Sequence, residues 1–78
     1  MVKQKIKNIL ASVLEVPVKE IHDDASQKNL SIWDSLQHLN LIVELEESFN
    51  LEFEPEEIGD MNSLEKIEKI INLRTHTN

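Results

Sequence analysis

The chain has no cysteine and no tyrosine, and only one glycine, two prolines, one tryptophan and two phenylalanines among its 78 residues. Without cysteine it has no disulfide framework, no thiolate metal site and no thiol nucleophile, so any sulfur chemistry must be imported. The lack also suits a reducing compartment, and a cytoplasmic location is expected. No run approaches the ~20 apolar residues of a membrane span. Lys3, Lys5 and Lys7 interrupt the N-terminal apolar residues, so the apolar stretch of a signal peptide is missing there. A chain this short buries only a little over ~60% of its unfolded surface, which leaves little room for an enclosed catalytic cleft. His22, His38 and His76 lack metal-ligand spacing, and Asp23-Asp24 lacks the alternating oxygens and glycine of a calcium loop, so no metal site is expected.

Basic residues are also missing from one long interval. Between Lys28 and Lys66 there is no Lys or Arg, while Asp34, Glu44, Glu46, Glu47, Glu52, Glu54, Glu56, Glu57, Asp60 and Glu65 all fall there. With a formal net charge of -7, that half calls for a basic partner. Nucleic acid does not fit, because the phosphate-neutralising clusters that drive such binding are absent from it. Disorder does not fit either, since the acids are interleaved with Leu, Ile, Val and Phe at helical spacing.

That spacing is the main positive signal. Val2, Ile6, Ile9, Leu10 and Val13 form one stripe of a first amphipathic helix over residues 2 to 14, which Pro17 should stop near Glu15-Val16. From Pro17 to Trp33 the periodicity fades into a long ordered loop, expected to be pinned by Val18, Ile21, Leu30 and Ile32 with Trp33 anchoring its end. A second helix runs from Ser35 to about Asn50. Leu41, Ile42, Leu45 and Phe49 are assigned to its core side, and Leu36, Leu39 and Val43 to an outer or shared face. Pro55 with Glu56 and Glu57 opens a brief helix that Gly59 keeps short. Asn62, with Glu65 three residues on, caps a last helix to about Leu73 with Leu64, Ile67, Ile70 and Ile71 inward. Residues from about 74 to 78 should fray. Three main helices plus one short helix, with a long loop between the first and second, make a single all-α bundle spanning 1–78.

The junction of loop and second helix carries the one pattern with chemical content. Asp34 can accept from first-turn amides, Gln37 completes a capping-box pattern, and Ser35 falls at the first helical position. A hydroxyl there points to solvent beside the positive end of the helix dipole, where a phosphate ester is electrostatically welcome. Ser35 and His38 could be imagined as nucleophile and base, but no acid is placed to orient His38, which reads as a surface histidine.

Asp34-Ser35-Leu36, followed by Leu39, Leu41, Ile42, Leu45, Glu46-Glu47 and Phe49, resembles the signature of acyl carrier proteins and related peptidyl carriers, and segment lengths match over the whole chain. The resemblance implies a helical bundle with no catalysis of its own, a 4'-phosphopantetheine joined to Ser35 between Asp34 and Leu36, and acyl cargo carried as thioesters. It also implies a partner-recognition face at Leu36, Leu39, Asn40, Val43, Glu44, Glu46 and Glu47. The partners would be a phosphopantetheinyl transferase and acyl-loading, condensing or acyl-transfer enzymes with basic docking patches; the carrier itself should be a monomer. Trp33 in place of the usual glycine, Asn40 in place of an acid, and a basic first helix depart from the housekeeping fatty-acid pattern. They point toward polyketide, lipopeptide or sugar-acylation pathways, and the start at Met1 toward a free-standing carrier. The alternatives are an aminoacyl or peptidyl carrier, and a non-enzymatic helical interaction module in which Asp34-Ser35 is only a cap.

Overall fold

Four α-helices and one 3₁₀ turn follow one another in a computed structural model that describes residues 2–76, with side chains from Val2 to Thr75. They are α1 (Val2–Leu14), the 3₁₀ turn (Val18–Glu20), α2 (Ser35–Phe49), α3 (Pro55–Asp60) and α4 (Leu64–His76). Among the described residues the only strand-like pairing is an isolated bridge between Ser26 and Ser63. The all-helical bundle with a long first connection is as expected.

α1 packs against both α2 and α4 and buries Ile6, Leu10, Ala11 and Leu14. Its end is a left-handed cap. The Val16 amide donates to the Ala11 carbonyl at 3.0 Å and the Glu15 amide to Ser12 at 3.3 Å, with Glu15 at φ 59°. Pro17 then blocks continuation. α2 ends the same way, with Asn50 at φ 55° and the Leu51 amide bonded to the Glu46 carbonyl at 3.0 Å. Asparagine tolerates that conformation better than most residues; glutamate does not.

The connection from α1 to α2 is stitched to the bundle at three places. Asp23 pairs with Lys7 at 2.6 Å and Lys3 at 3.7 Å. The Gln27 amide donates to the Asn62 carbonyl at 3.0 Å, and the Leu64 amide to the Ala25 carbonyl at 2.9 Å, which zips the loop onto the start of α4. Inside, Ile21, Ala25 and Trp33 are buried. Val18 and Ile32, expected to pin the loop, are exposed instead. They flank the residues that do reach the core, and in a loop without periodicity the sequence does not say which of several neighbouring apolar residues turns inward.

α4 also differs at both ends. Its cap is Ser63, whose Oγ accepts from the Lys66 amide at 3.2 Å, and not Asn62, whose carbonyl is taken by Gln27. The helix runs on to His76. Arg74 pairs with the Glu57 carboxylate and donates to the Glu52 carbonyl at 2.7 Å, tying this last stretch to α3 and the segment before it. Thr77 and Asn78, part of the expected frayed tail, lie outside the described residues. α3 opens with Pro55 and passes through Gly59 to Asp60, beyond which the fully buried Met61 draws the chain back into the core.

Candidate functional site at the start of the second helix

Ser35 is the first residue of α2 and is exposed. The turn around it is fixed from both sides. Asp34 has extended backbone (φ -93°, ψ -174°), its Oδ1 accepts from the Gln37 amide at 2.9 Å, and its carbonyl accepts the first intrahelical bond from His38 at 2.8 Å. The Gln37 Oε1 accepts from the Asn40 side-chain Nδ2 at 3.1 Å. The backbone amides of Ser35 and Leu36 head the helix, so its positive dipole end lies beside the hydroxyl.

Directly beneath sits an arrangement that the sequence reading missed. The Trp33 indole Nε1–H donates to His38 Nδ1 at 3.1 Å, and His38 Nε2 lies 2.9 Å from the Ile58 carbonyl of α3. An indole N–H can only donate and a peptide carbonyl can only accept, so His38 keeps Nδ1 bare and carries its proton on Nε2. Trp33 is 1% exposed and His38 9%. Expected at the surface, His38 is therefore an internal connector between the loop end, α2 and α3. The signal was present: His38, Leu41, Ile42 and Leu45 stand at i, i+3, i+4 and i+7, one core stripe. With both ring nitrogens engaged, His38 has none left to take a proton from Ser35, which removes the nucleophile-and-base reading on geometric grounds.

The outer face of α2 lies next to Ser35. Leu36, Leu39 and Val43 are 67%, 59% and 51% exposed, while Leu41, Ile42 and Leu45 are buried and Phe49 half-buried. Asn40, Glu44 and Glu47 are exposed on this helix. Glu46 is less free: its carboxylate accepts from the Phe53 amide at 2.9 Å, so it also holds the segment leading to α3. Toward the end of α2 an open groove is lined by Val43, Glu46, Glu47, Asn50, Leu51 and Glu52. Among the described residues no group of three or more His, Asp or Glu could hold a metal ion, and no helix is long and apolar enough to cross a membrane.

Residues 4–71 match the phosphopantetheine attachment site family. An acyl carrier protein of Buchnera aphidicola subsp. Schizaphis graminum is 34% identical over 71 residues, covering 91% of this chain and 90% of that protein. The chain belongs to the acyl carrier protein family. A second acyl carrier protein, from Buchnera aphidicola subsp. Acyrthosiphon pisum, is 34% identical over 65 residues, with 83% and 81% covered. The non-reducing polyketide synthase pkbA of Emericella nidulans is 30% identical over 70 residues, which are 90% of this chain but 3% of the synthase. As a member of the carrier family, the chain takes 4'-phosphopantetheine, and its surface fits the group. An exposed hydroxyl at a dipole-positive helix tip, with an apolar strip beside it, suits a phosphate with a flexible tail.

Proposed function

We propose that this carrier holds 4'-phosphopantetheine on Ser35 Oγ and presents acyl groups, through the outer face of α2, to separate enzymes of a fatty-acid, polyketide or related specialised pathway. When bound, the group supplies the thiol that the chain lacks, at the end of a flexible arm on which acyl groups travel as thioesters. The observation that carries this reading is the exposed Ser35 at the capped start of α2, with Leu36, Leu39 and Val43 exposed beside it.

Each neighbour has its part. Asp34 holds the turn so that the Ser35 hydroxyl stands clear of the bundle, and the helix dipole favours the phosphate charge there. Leu36, Leu39 and Val43 offer apolar contact, while Asn40, Glu44, Glu46 and Glu47 direct a partner carrying a basic patch. A phosphopantetheinyl transferase reads this face first, and acyl-loading, condensing or acyl-transfer enzymes read it afterwards. The chain acts as a monomer beside these enzymes in the cytoplasm and performs no chemistry of its own. Trp33 and Asn40 favour a specialised pathway over the housekeeping one.

Intact mass after incubation with coenzyme A and a broad-specificity phosphopantetheinyl transferase tests the assignment. One phosphopantetheinyl increment is expected on the native chain and none on Ser35→Ala. An increment that survives Ser35→Ala, or none on the native chain, refutes it.

A further inference from the structure

We propose that His38 is a positioning residue for the modification of Ser35, acting through Trp33 on one side and α3 on the other. The inference rests on Ser35 being the attachment residue. Both ring nitrogens of His38 are engaged away from Ser35, with Trp33 and Ile58; the side chain holds the residue that leads into the site. Trp33 immediately precedes the capping Asp34, and its backbone is fixed twice more, by its own amide on the Leu30 carbonyl at 2.9 Å and by Gln27 Nε2 on its carbonyl at 3.3 Å. The indole N–H on His38 Nδ1 completes the grip, and His38 Nε2–H on the Ile58 carbonyl anchors it to α3. The side-chain bond from Trp33 to His38 thus closes a ring of backbone around Asp34-Ser35, with Ser35 on the ring's outer edge.

Losing that bond leaves an indole N–H without a partner in the interior, a state that buried polar groups relieve by moving toward water. Trp33 can reach water only by leaving the core, and Asp34 and Ser35 are peptide-bonded to it in sequence. In the transfer, Ser35 Oγ bonds to the pantetheine-side phosphorus of coenzyme A. The diphosphate P–O bond on the far side breaks, 3',5'-adenosine bisphosphate leaves, and the hydroxyl proton passes to a base on the transferase. An in-line displacement of this kind is sensitive to how the attacking oxygen is held. Docking rests instead on Leu36, Leu39 and Val43, which are exposed on α2 while His38 is buried.

The test is steady-state transfer from coenzyme A by a phosphopantetheinyl transferase, with the carrier as varied substrate. His38→Leu should lower kcat by roughly tenfold or more, the scale of a misplaced nucleophile, with KM within about twofold. Simple loss of folded protein would raise the apparent KM and leave kcat alone. His38→Gln, whose amide can accept from Trp33 and donate to Ile58, should restore most of kcat. Trp33→Phe, which keeps a ring but deletes the donor, should again lower kcat and serves if His38→Leu does not fold by circular dichroism. Modification of the native chain with kcat unchanged in His38→Leu or Trp33→Phe overturns the proposal and leaves Ser35 as the attachment residue, as does a His38→Gln variant no better than His38→Leu. Failure of the native chain to be modified overturns the Ser35 assignment itself.

Discussion

Lys5 of α1 reaches over the end of α2, donating to the Ser48 carbonyl at 3.3 Å with its ammonium 4.8 Å from the centroid of the Phe49 ring. One cation thus meets both the negative end of the helix dipole and an aromatic face. Lys5→Met keeps the aliphatic stem and removes the charge, and should cost about 1 kcal/mol in urea unfolding at low salt, less at high salt. A loss that does not change with ionic strength would mean packing alone is at work.

Glu15 occupies a left-handed conformation that a side chain resists by about 1–2 kcal/mol and glycine does not. Glu15→Gly should therefore raise stability by up to about 1 kcal/mol, the remainder being offset by the greater freedom of glycine in the unfolded chain. The urea midpoint should rise with an unchanged m-value. Pro17 fixes the next turn whichever residue stands at 15.

The Glu54 amide beside Glu57, with Arg74 second, holds the Glu57 carboxyl below its ordinary 4.5 despite some opposing desolvation. Asp23 is likewise held below 3.8, first by its hydrogen bond to Lys7 and then by Lys3. A carboxyl whose folded value is lowered stabilises the fold fully above its unfolded value and loses that contribution as pH falls through the folded one. The stability difference between the native chain and Glu57→Gln should accordingly be constant from neutrality down to about pH 5 and shrink below about 4.5. Taking the difference cancels the general relief of repulsion as other acids protonate. That repulsion is read separately: added Mg2+ should raise the melting temperature.

Leu39 stands 59% exposed in the middle of the apolar strip. Leu39→Ala should leave stability within about 0.5 kcal/mol. If the strip is a docking face, the same change should raise KM for the transferase by up to about tenfold with kcat kept, the reverse of the His38→Leu pattern. An unchanged KM would place docking elsewhere.

The helices were legible because their apolar residues recur at three and four positions, and the two sides of α2 were separable because it carries too many apolar residues for one stripe. Asp34-Ser35 was legible through capping chemistry, which is local. His38 stands on the same core stripe as Leu41, Ile42 and Leu45, yet a histidine outside any metal or catalytic pattern reads as surface, and its two partners lie in the loop before α2 and on α3. The Ser63 cap escaped for a related reason. Asn62 and Ser63 both suit the position, and the choice between them is made by the loop near Ala25 and Gln27. The cap is a long-range selection between locally equivalent options, whereas the partners of His38 are long-range even though its register is local.

The burial of Trp33 has an optical consequence. With no tyrosine in the chain and a single indole held inside it on a hydrogen bond, near-ultraviolet emission comes from one ring two residues from Ser35, because the phenylalanines absorb only at shorter wavelengths than the indole. The protein carries its own dye at the entrance to α2, and its colour should shift to the red whenever the indole is released to water.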